Sequence, residues 1–209
     1  MMKKDALIVV DVQNDFLPGG ALAVPEGDAV IEPINTLMDA FDLVVMTQDW
    51  HPRGHISFAS NHDGKNVFEC IETDYGQQVL WPDHCVAGTF GADFADTLNT
   101  SRAVAIIRKG TSERVDSYSG FVEADGASVT GLSGLLKSLG VTRVWVCGLA
   151  TDYCVASTAI DAAKDGFETR VVMDACRGID IDGSLQAARN NWHKHNVQET
   201  SVAETIATK

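Results

Sequence analysis

The stretch RVWVCGLATDYCVASTAIDAAK, residues 143–164, begins as one kind of secondary structure and ends as another. Residues 143–149 form a short, continuous apolar run rich in valine, which is typical of a strand buried on both faces of a parallel sheet. After a Gly-Leu-Ala-Thr-Asp turn, residues 152–164 have the pattern of a helix. A strand followed by a helix is half of a β-α-β unit, so the stretch predicts an α/β fold.

The same alternation continues along the rest of the chain, which has 209 residues. Further runs rich in Val and Ile predict strands at residues 6–12, 43–49, 103–109 and 169–175. Further helical patterns lie at residues 29–41, 131–139 and 183–195. These units predict a three-layer α/β/α sandwich with a mostly parallel central sheet. No linker or internal repeat separates them, so we expect a single domain over residues 1–209.

The interval from His51 to Phe90 breaks this alternation. It contains Gly, Pro and Trp residues together with His55, His62 and His84. A long segment without a clear strand or helix pattern inside a compact domain usually carries function. We therefore expect functional loops here rather than framework.

The charge balance and the cysteines exclude some classes of partner and location. The chain has 16 Lys and Arg residues against 29 Asp and Glu residues, a formal charge of −13, which repels nucleic acid and anionic membrane surfaces. The N-terminal apolar run extends only from Ala6 to Val10, and no segment approaches the ~20 apolar residues of a membrane span. Five scattered cysteines without a C-x-x-C pair favour free thiols and a cytoplasmic location. The choice between monomer and homo-oligomer stays open.

Reactive side chains fall at or just after the ends of four predicted strands. Asp11 closes the first strand, Asp49 the second and Lys109 the third, and Cys154 lies at the start of the helix after the fourth. Ligands of an open parallel sheet bind beyond the carboxyl ends of its strands, so these residues are placed to meet. Each position alone is more typical of a turn or cap residue, but the four together indicate a site.

The two cysteines of the opening stretch have different surroundings. Cys147 lies inside the apolar run and is predicted to be an inert buried side chain. If Thr151 or Asp152 caps the following helix, Cys154 falls in its first turn, where free N–H groups and the helix dipole lower a thiol pKa. Lys109 would lower it further. On position alone, packing under the helix is an equally good interpretation of Cys154.

The histidine-rich interval suggests a metal site. Asp49 and His51 lie two positions apart in an extended segment, so both side chains can face one side, and a carboxylate with an imidazole suits Zn, Mn or Fe. Both His84 and His55 qualify as a third ligand. Histidines in Pro- and Gly-containing loops are also common as hydrogen-bonding turn residues, and that interpretation stays open from the pattern alone.

Six motifs together carry a resemblance to a known family. They are DVQNDFLPGG (11–20), TQDWHPRGHISF (47–58), WPDHCVAGTFGADF (81–94), RKGT (108–111), SYSGF (117–121) and GLATDYCV (148–155). Over most of its length the chain resembles the nicotinamidases of the isochorismatase-like cysteine hydrolase superfamily. Relatives that hydrolyse isochorismate have no cysteine at the position of Cys154, which argues against that branch.

The resemblance implies roles for the residues at the strand ends. It implies a catalytic triad of Asp11, Lys109 and Cys154, with Cys154 as the nucleophile. It also implies one divalent metal ion, for which we expect zinc and for which Mn and Fe are the alternatives. The implied metal ligands are Asp49, His51 and His84, with His55 an additional ligand in some members.

The resemblance further implies how substrate is held. Phe16, Trp81 and Tyr118 would form an aromatic pocket on which a flat pyridine ring stacks, although from the sequence alone they are equally core or loop residues. A cis peptide before Thr151 would turn backbone N–H groups inward. The N–H groups of Ala150 and Cys154 would then form an oxyanion hole.

The function implied is hydrolysis of nicotinamide to nicotinate and ammonia through a thioester on Cys154, as a step of NAD salvage, with pyrazinamide as a further substrate. Two alternatives stay open. One is another amidase of the superfamily that acts on N-carbamoyl compounds. The other is a non-catalytic binding module of the same fold.

Overall fold

The computed structural model describes residues 4–209 and is built around one parallel sheet. The strands are β1 (Asp5–Val10), β2 (Val44–Asp49), β3 (Cys70–Thr73), β4 (Gly76–Val79), β5 (Ala105–Lys109), β6 (Arg143–Leu149), β7 (Glu168–Arg177) and β8 (Gln198–Thr200). Six of them form a sheet in the order β5-β2-β1-β6-β7-β8, and every neighbouring pair is parallel. β3 and β4 form a separate antiparallel hairpin.

Helices cover the sheet. They are α1 (Ile31–Asp39), α2 (Leu132–Ser138), α3 (Ala156–Lys164), α4 (Ser184–Lys194) and α5 (Val202–Ala207). Short 3₁₀ turns lie at Asn14–Phe16, Gly27–Val30, Ala59–Asn61, Phe90–Ala92, Thr100–Arg102 and Ile181–Gly183. α1 contacts α5 and β7, whereas α3 contacts α4, β6 and β7. The predicted three-layer α/β/α sandwich is confirmed. Among the helices of residues 4–209, none is long and apolar enough to cross a membrane.

The central strands are apolar along their whole length because both of their faces are covered. β2 is buried at every position, and β1 and β6 are buried at all positions but their first. In the register of β1 with its two neighbours, Leu7 lies opposite Val44 on one side and Trp145 on the other. Because all the strands of this sheet are parallel, their carboxyl ends lie at one edge, and that edge carries the candidate site.

The structure departs from the sequence predictions mainly at the margins of the sheet. The sequence predicts that the run at 103–109 is buried on both faces. Because β5 is an edge strand, its residues alternate between partly buried and exposed up to Arg108, and its last residue, Lys109, is buried. The sequence interpretation missed β8 and α5, although α5 begins with a capping box between Ser201 and Glu204. The predicted loops of 51–90 contain the hairpin of β3 and β4.

One close backbone contact joins the two strands at the centre of the sheet. Gly148 in β6 lies opposite Val10 in β1, with a φ of +119°, a conformation that L side chains rarely adopt. A Cβ atom at this position would lie 2.1 Å from the carbonyl oxygen of Val10. Only glycine fits here without movement of one of the two strands.

We expect Gly148→Ala to lower the free energy of unfolding by about 3 kcal/mol or more, because it combines backbone strain with a clash inside the sheet. Urea unfolding followed by circular dichroism measures the change. Gly134→Ala is the matched control, since a Cβ at Gly134 in α2 meets no heavy atom within 4 Å. That variant should be unchanged or more stable by less than about 1 kcal/mol. Equal stability of the two variants would contradict the close contact.

Candidate active site

Four reactive side chains come together where neighbouring strands end. Asp11 follows β1, Asp49 ends β2, Lys109 ends β5, and Cys154 lies in the helical segment after β6. All four are buried. The structure thus brings the four strand-end residues of the sequence prediction into one cluster.

Lys109 is the centre of this cluster. Its Nζ atom lies 2.5 Å from Oδ1 of Asp49 and 2.9 Å from Oδ2 of Asp11. The same atom lies 3.2 Å from the carbonyl oxygen of Ser117 and 3.4 Å from Sγ of Cys154. One ammonium group therefore holds two carboxylates and the thiol around it.

The two carboxylates keep the buried ammonium charged. Burial alone would lower the pKa of Lys109, but the charges of Asp11 and Asp49 raise that pKa well above its usual value. Burial alone would raise the pKa of Asp49, but the charges of Lys109 and His51 hold it well below its usual range. The Lys109–Asp49 contact is therefore a buried ion pair with both partners charged.

Burial raises the pKa of both Asp11 and Cys154, although Lys109 opposes it in each case. Burial raises the pKa of Asp11 despite the opposing charge of Lys109. Burial also raises the pKa of the Cys154 thiol well above its usual value, and Lys109 only partly offsets it. The expectation of a lowered thiol pKa is therefore wrong. The thiol keeps its proton, and the carboxyl group beside it has the elevated pKa that suits a general base.

The backbone before Cys154 also differs from expectation. Residues Thr151–Val155 form a π-helical segment that continues into α3, so Cys154 does lie at the start of a helix. The cis peptide joins Leu149 to Ala150, one residue earlier than predicted. The carbonyl oxygen of Ala150 accepts hydrogen bonds from the N–H groups of Tyr153 and Val155.

Neither Thr151 nor Asp152 caps the helix of Cys154, because the residue at its N-cap is Ala150. The Asp152 carboxylate instead accepts hydrogen bonds from the N–H groups of Ile179 and Asp180 and from the hydroxyl of Ser184. Asp152 therefore ties the turn after β6 to the loop after β7.

Asp49, His51 and His84 form a group that fits a metal ion. One potential ligand atom from each lies within 4.8 Å of the others, and all three residues are buried. The Nδ1 atoms of His51 and His84 donate to the carbonyl oxygens of Gly110 and Pro82, at 2.9 and 2.8 Å, so Nε2 is the potential ligand atom of each ring. Nε2 of His51 lies 3.6 Å from Oδ2 of Asp49. Burial and the charge of His51 lower the pKa of His84 to about 4, so its imidazole is neutral. The charge of Asp49 raises the pKa of His51 despite its burial, so metal binding to that ring would displace a proton. Imidazoles oriented through Nδ1, together with a carboxylate, are suitable ligands for a divalent transition metal.

His55 belongs to a second group. Its potential ligand atom lies within 4.8 Å of those of His51 and Asp116, and its ring lies 4.1 Å from the His51 ring. Its Nδ1 atom is 2.7 Å from the Ser57 hydroxyl, and its Nε2 atom is 3.3 Å from the carbonyl oxygen of Val115. Both nitrogens of His55 therefore have hydrogen-bond partners outside the group of Asp49, His51 and His84.

A cavity adjoins the thiol and the three-residue group. The predicted aromatic residues Phe16, Trp81 and Tyr118 all line it, as do Ala150 and Cys154. The side chains that sequence reasoning missed are Leu22, Asp116, Ser117, Tyr153 and Ile179. Tyr153 immediately precedes the thiol, and its ring meets Trp81 edge-on at 5.1 Å. The position of Tyr153 next to Cys154 in the sequence was a signal that it could line the cavity. Leu22 and Ile179 are far from Cys154 in the sequence, so only the folded structure shows that they line the cavity.

Comparison with known proteins places this chain among a group of amidases. A family model described as the isochorismatase domain matches residues 5–204. The chain is 54% identical over 196 residues to a nicotinamidase of Acinetobacter baylyi, covering 94% of this chain and 92% of that protein. It superposes on a nicotinamidase/pyrazinamidase of Acinetobacter baumannii with a TM-score of 0.95 and 53% identity, covering 97% and 98% of the two chains. A pyrazinamidase of Pyrococcus horikoshii in complex with zinc gives a TM-score of 0.77 and 39% identity over 95% and 99%.

We expect Lys109→Met to lower the free energy of unfolding by about 3–5 kcal/mol, because it leaves two buried carboxylates without a cation. Urea unfolding in the presence of a chelator measures this loss without a contribution from bound metal. Lys164→Met is the matched control, because Lys164 is exposed and pairs with Asp161 at 3.1 Å. It should cost less than about 1 kcal/mol. A Lys109 variant as stable as the control would contradict the central ion pair.

Proposed function

This chain belongs to the isochorismatase family, and we propose that it is a nicotinamidase, a cysteine amidohydrolase that converts nicotinamide to nicotinate and ammonia. The nicotinamidase relatives confirm this class of function, which the sequence predicted. The observation that carries the proposal is the position of the Lys109 ammonium between Asp11 and Cys154, at the edge of an aromatic cavity. Pyrazinamide has the same planar ring and carboxamide, and we include it as a substrate.

Substrate binding uses the cavity walls. The pyridine ring lies among Phe16, Trp81 and Tyr118, since a flat heteroaromatic ring gains from contact with aromatic side chains. The carboxamide then lies over Cys154. Asp49, His51 and His84 would hold a divalent metal ion, with zinc first and Mn or Fe as alternatives, and the bound ion would supply a Lewis acid next to the ring. The pyrazinamidase in complex with zinc supports zinc as the metal. His55 could be an additional ligand only if one of its two hydrogen bonds were broken.

Acylation begins with transfer of the Cys154 proton to Asp11. The thiolate attacks the carboxamide carbon, and the N–H groups of Ala150 and Cys154 bind the resulting oxyanion. Lys109 stabilises the negative charge that moves between the carboxylate and the sulfur. Asp11 then gives its proton to the leaving nitrogen, so that ammonia departs and a thioester remains on Cys154.

Deacylation uses the same carboxylate. Asp11 removes a proton from water, and the hydroxide attacks the thioester carbon. The C–S bond breaks, nicotinate leaves, and the proton returns to the sulfur of Cys154. The raised pKa of Asp11 suits a group that takes up and releases a proton twice in each cycle.

The remaining proposals concern the molecule as a whole. We propose one domain over residues 1–209, supported by a single sheet that runs from β5 to β8. We propose a cytoplasmic location, supported by five free cysteines. The partner is the small-molecule substrate, and the formal charge of −13 disfavours nucleic acid. Either a monomer or a homo-oligomer is compatible with a site made by one chain.

A panel of carboxamides tests the function by ammonia release from the metal-loaded protein. We expect nicotinamide and pyrazinamide to be hydrolysed, and N-carbamoyl amino acids to be poor substrates. Cys154→Ala should reduce turnover by about 10³-fold or more, because no thioester can form. Cys147→Ala is the matched control, because Cys147 is buried in β6 outside the cavity, and it should keep its turnover. Preference for N-carbamoyl compounds would favour the other amidase, and no ammonia from any compound would favour a binding module.

Metal content tests the ligand group independently of turnover. We expect His51→Ala to lose bound metal, because it removes one of three ligands. Elemental analysis of the purified variant, after dialysis against buffer without metal, measures the loss. His62→Ala is the control, because the His62 Nε2 atom donates to the carbonyl oxygen of Ile56 outside the group. Equal metal content in the two variants would rule out the ligand assignment.

A further inference from the structure

The hairpin of β3 and β4 buries one residue, and that residue is polar. The two strands lie outside the main sheet, and most of their side chains are exposed or partly exposed. Gln78 in β4 is the buried one, with 2% of its surface exposed. Glutamine is usually found at protein surfaces, so a fully buried one on a small exposed hairpin calls for specific partners.

Those partners lie in the wall of the substrate cavity. The Gln78 side-chain nitrogen is 2.6 Å from Oδ2 of Asp116 and 3.3 Å from the hydroxyl of Tyr118, and it also donates to the carbonyl oxygen of Val79 at 2.7 Å. The Gln78 side-chain oxygen accepts from the hydroxyl of Tyr75, at 3.0 Å, in the turn of the hairpin. The amide is therefore held from the hairpin side and contacts two residues that line the cavity.

The Tyr118 hydroxyl also forms a hydrogen bond with Trp81. The indole Nε1 of Trp81 donates to this hydroxyl at 3.0 Å. The same hydroxyl therefore joins Gln78 to Trp81. Trp81 and Tyr118 are two of the three aromatic residues between which the proposed function places the pyridine ring. The backbone of Trp81 is fixed separately, by hydrogen bonds with Ser57 and Ala59.

We infer that Gln78 is a positioning residue for substrate binding: its side-chain amide fixes the Tyr118 hydroxyl and Asp116, and so sets where Trp81 and Tyr118 present their rings to the substrate. This inference rests on the proposed function. Gln78 does not line the cavity, so it acts through the two aromatic residues and Asp116.

The chemistry of the network explains why an amide is used. A buried carboxylate needs a donor, and the Gln78 nitrogen supplies one to Asp116 while its oxygen accepts from Tyr75. A methionine has nearly the same shape but no N–H, so it would leave Asp116 and the Tyr118 hydroxyl without this donor. The two rings would then have no fixed orientation from the hairpin side. Ring contact contributes to binding before and during the reaction, so its loss should raise KM more than it lowers kcat.

Steady-state kinetics of nicotinamide hydrolysis tests the inference. We expect Gln78→Met to raise KM about tenfold while kcat changes by less than about twofold. The matched control is Gln77→Met, the same substitution at the next position of β4, where the side chain is exposed and meets Glu72. It should keep both constants. Metal content measured in parallel should be equal in both variants.

A double-mutant cycle tests whether Gln78 acts through the tyrosine. In a Tyr118→Phe background, Gln78→Met should raise KM by less than about threefold, because the shared hydroxyl is already absent. Three results would each overturn the inference. They are an equal tenfold rise of KM in both backgrounds, a KM of Gln78→Met equal to that of the wild type, and a fall in the kcat of Gln78→Met without a change in its KM. If Gln78→Met does not fold, Tyr75→Phe replaces it and should raise KM about threefold, and an unchanged KM there would likewise overturn it. If the wild-type protein releases no ammonia from nicotinamide, it is the proposed function that fails.

Discussion

The buried charge of Lys109 is the constraint on which the site depends. An ammonium group without contact to water is stable only if carboxylates surround it. Asp11 and Asp49 provide them from the ends of β1 and β2, and the parallel pairing of β2 with β5 places Lys109 directly opposite Asp49. The same group then lies 3.4 Å from the Cys154 sulfur. The arrangement proposed for catalysis therefore also stabilises the charge that the fold buries at Lys109.

This arrangement shifts the pKa values of the two carboxyl groups in opposite directions. Asp49 is kept ionised by its ion pair and by His51, so it remains available as a metal ligand. Asp11 has the raised pKa of a group that can exchange protons. Two chemically identical side chains, both in contact with one lysine, thus acquire different roles from differences in their surroundings. The protonated Cys154 thiol fits the same scheme, because its base is already next to it.

Much of the site was predictable because the topology of a parallel sheet is simple. Once residues 6–12, 43–49, 103–109 and 143–149 are recognised as parallel strands, the residues at their ends must share an edge. What the sequence could not provide was the balance of opposing effects in three dimensions. The thiol pKa is one example, since burial outweighs Lys109 only in the folded site. Asp152 is another, because its partners lie 27 to 32 residues further along the chain. Gln78 is a third, because β4 has the composition of a strand exposed to solvent.

The pairing of β1 has a consequence for how the protein is made. Asp5 in β1 lies opposite Arg143 in β6, so the centre of the sheet joins segments 138 residues apart. Contacts between distant segments form slowly, because a long loop must close before they contribute any stability. On the ribosome, β2 is available to pair with β1 early, but β6, the other neighbour of β1, is synthesised much later. A nascent chain can therefore contain Asp11, Asp49 and Lys109 for several seconds before Cys154 is synthesised, so the cluster around Lys109 cannot be completed until the segment after β6 has been made.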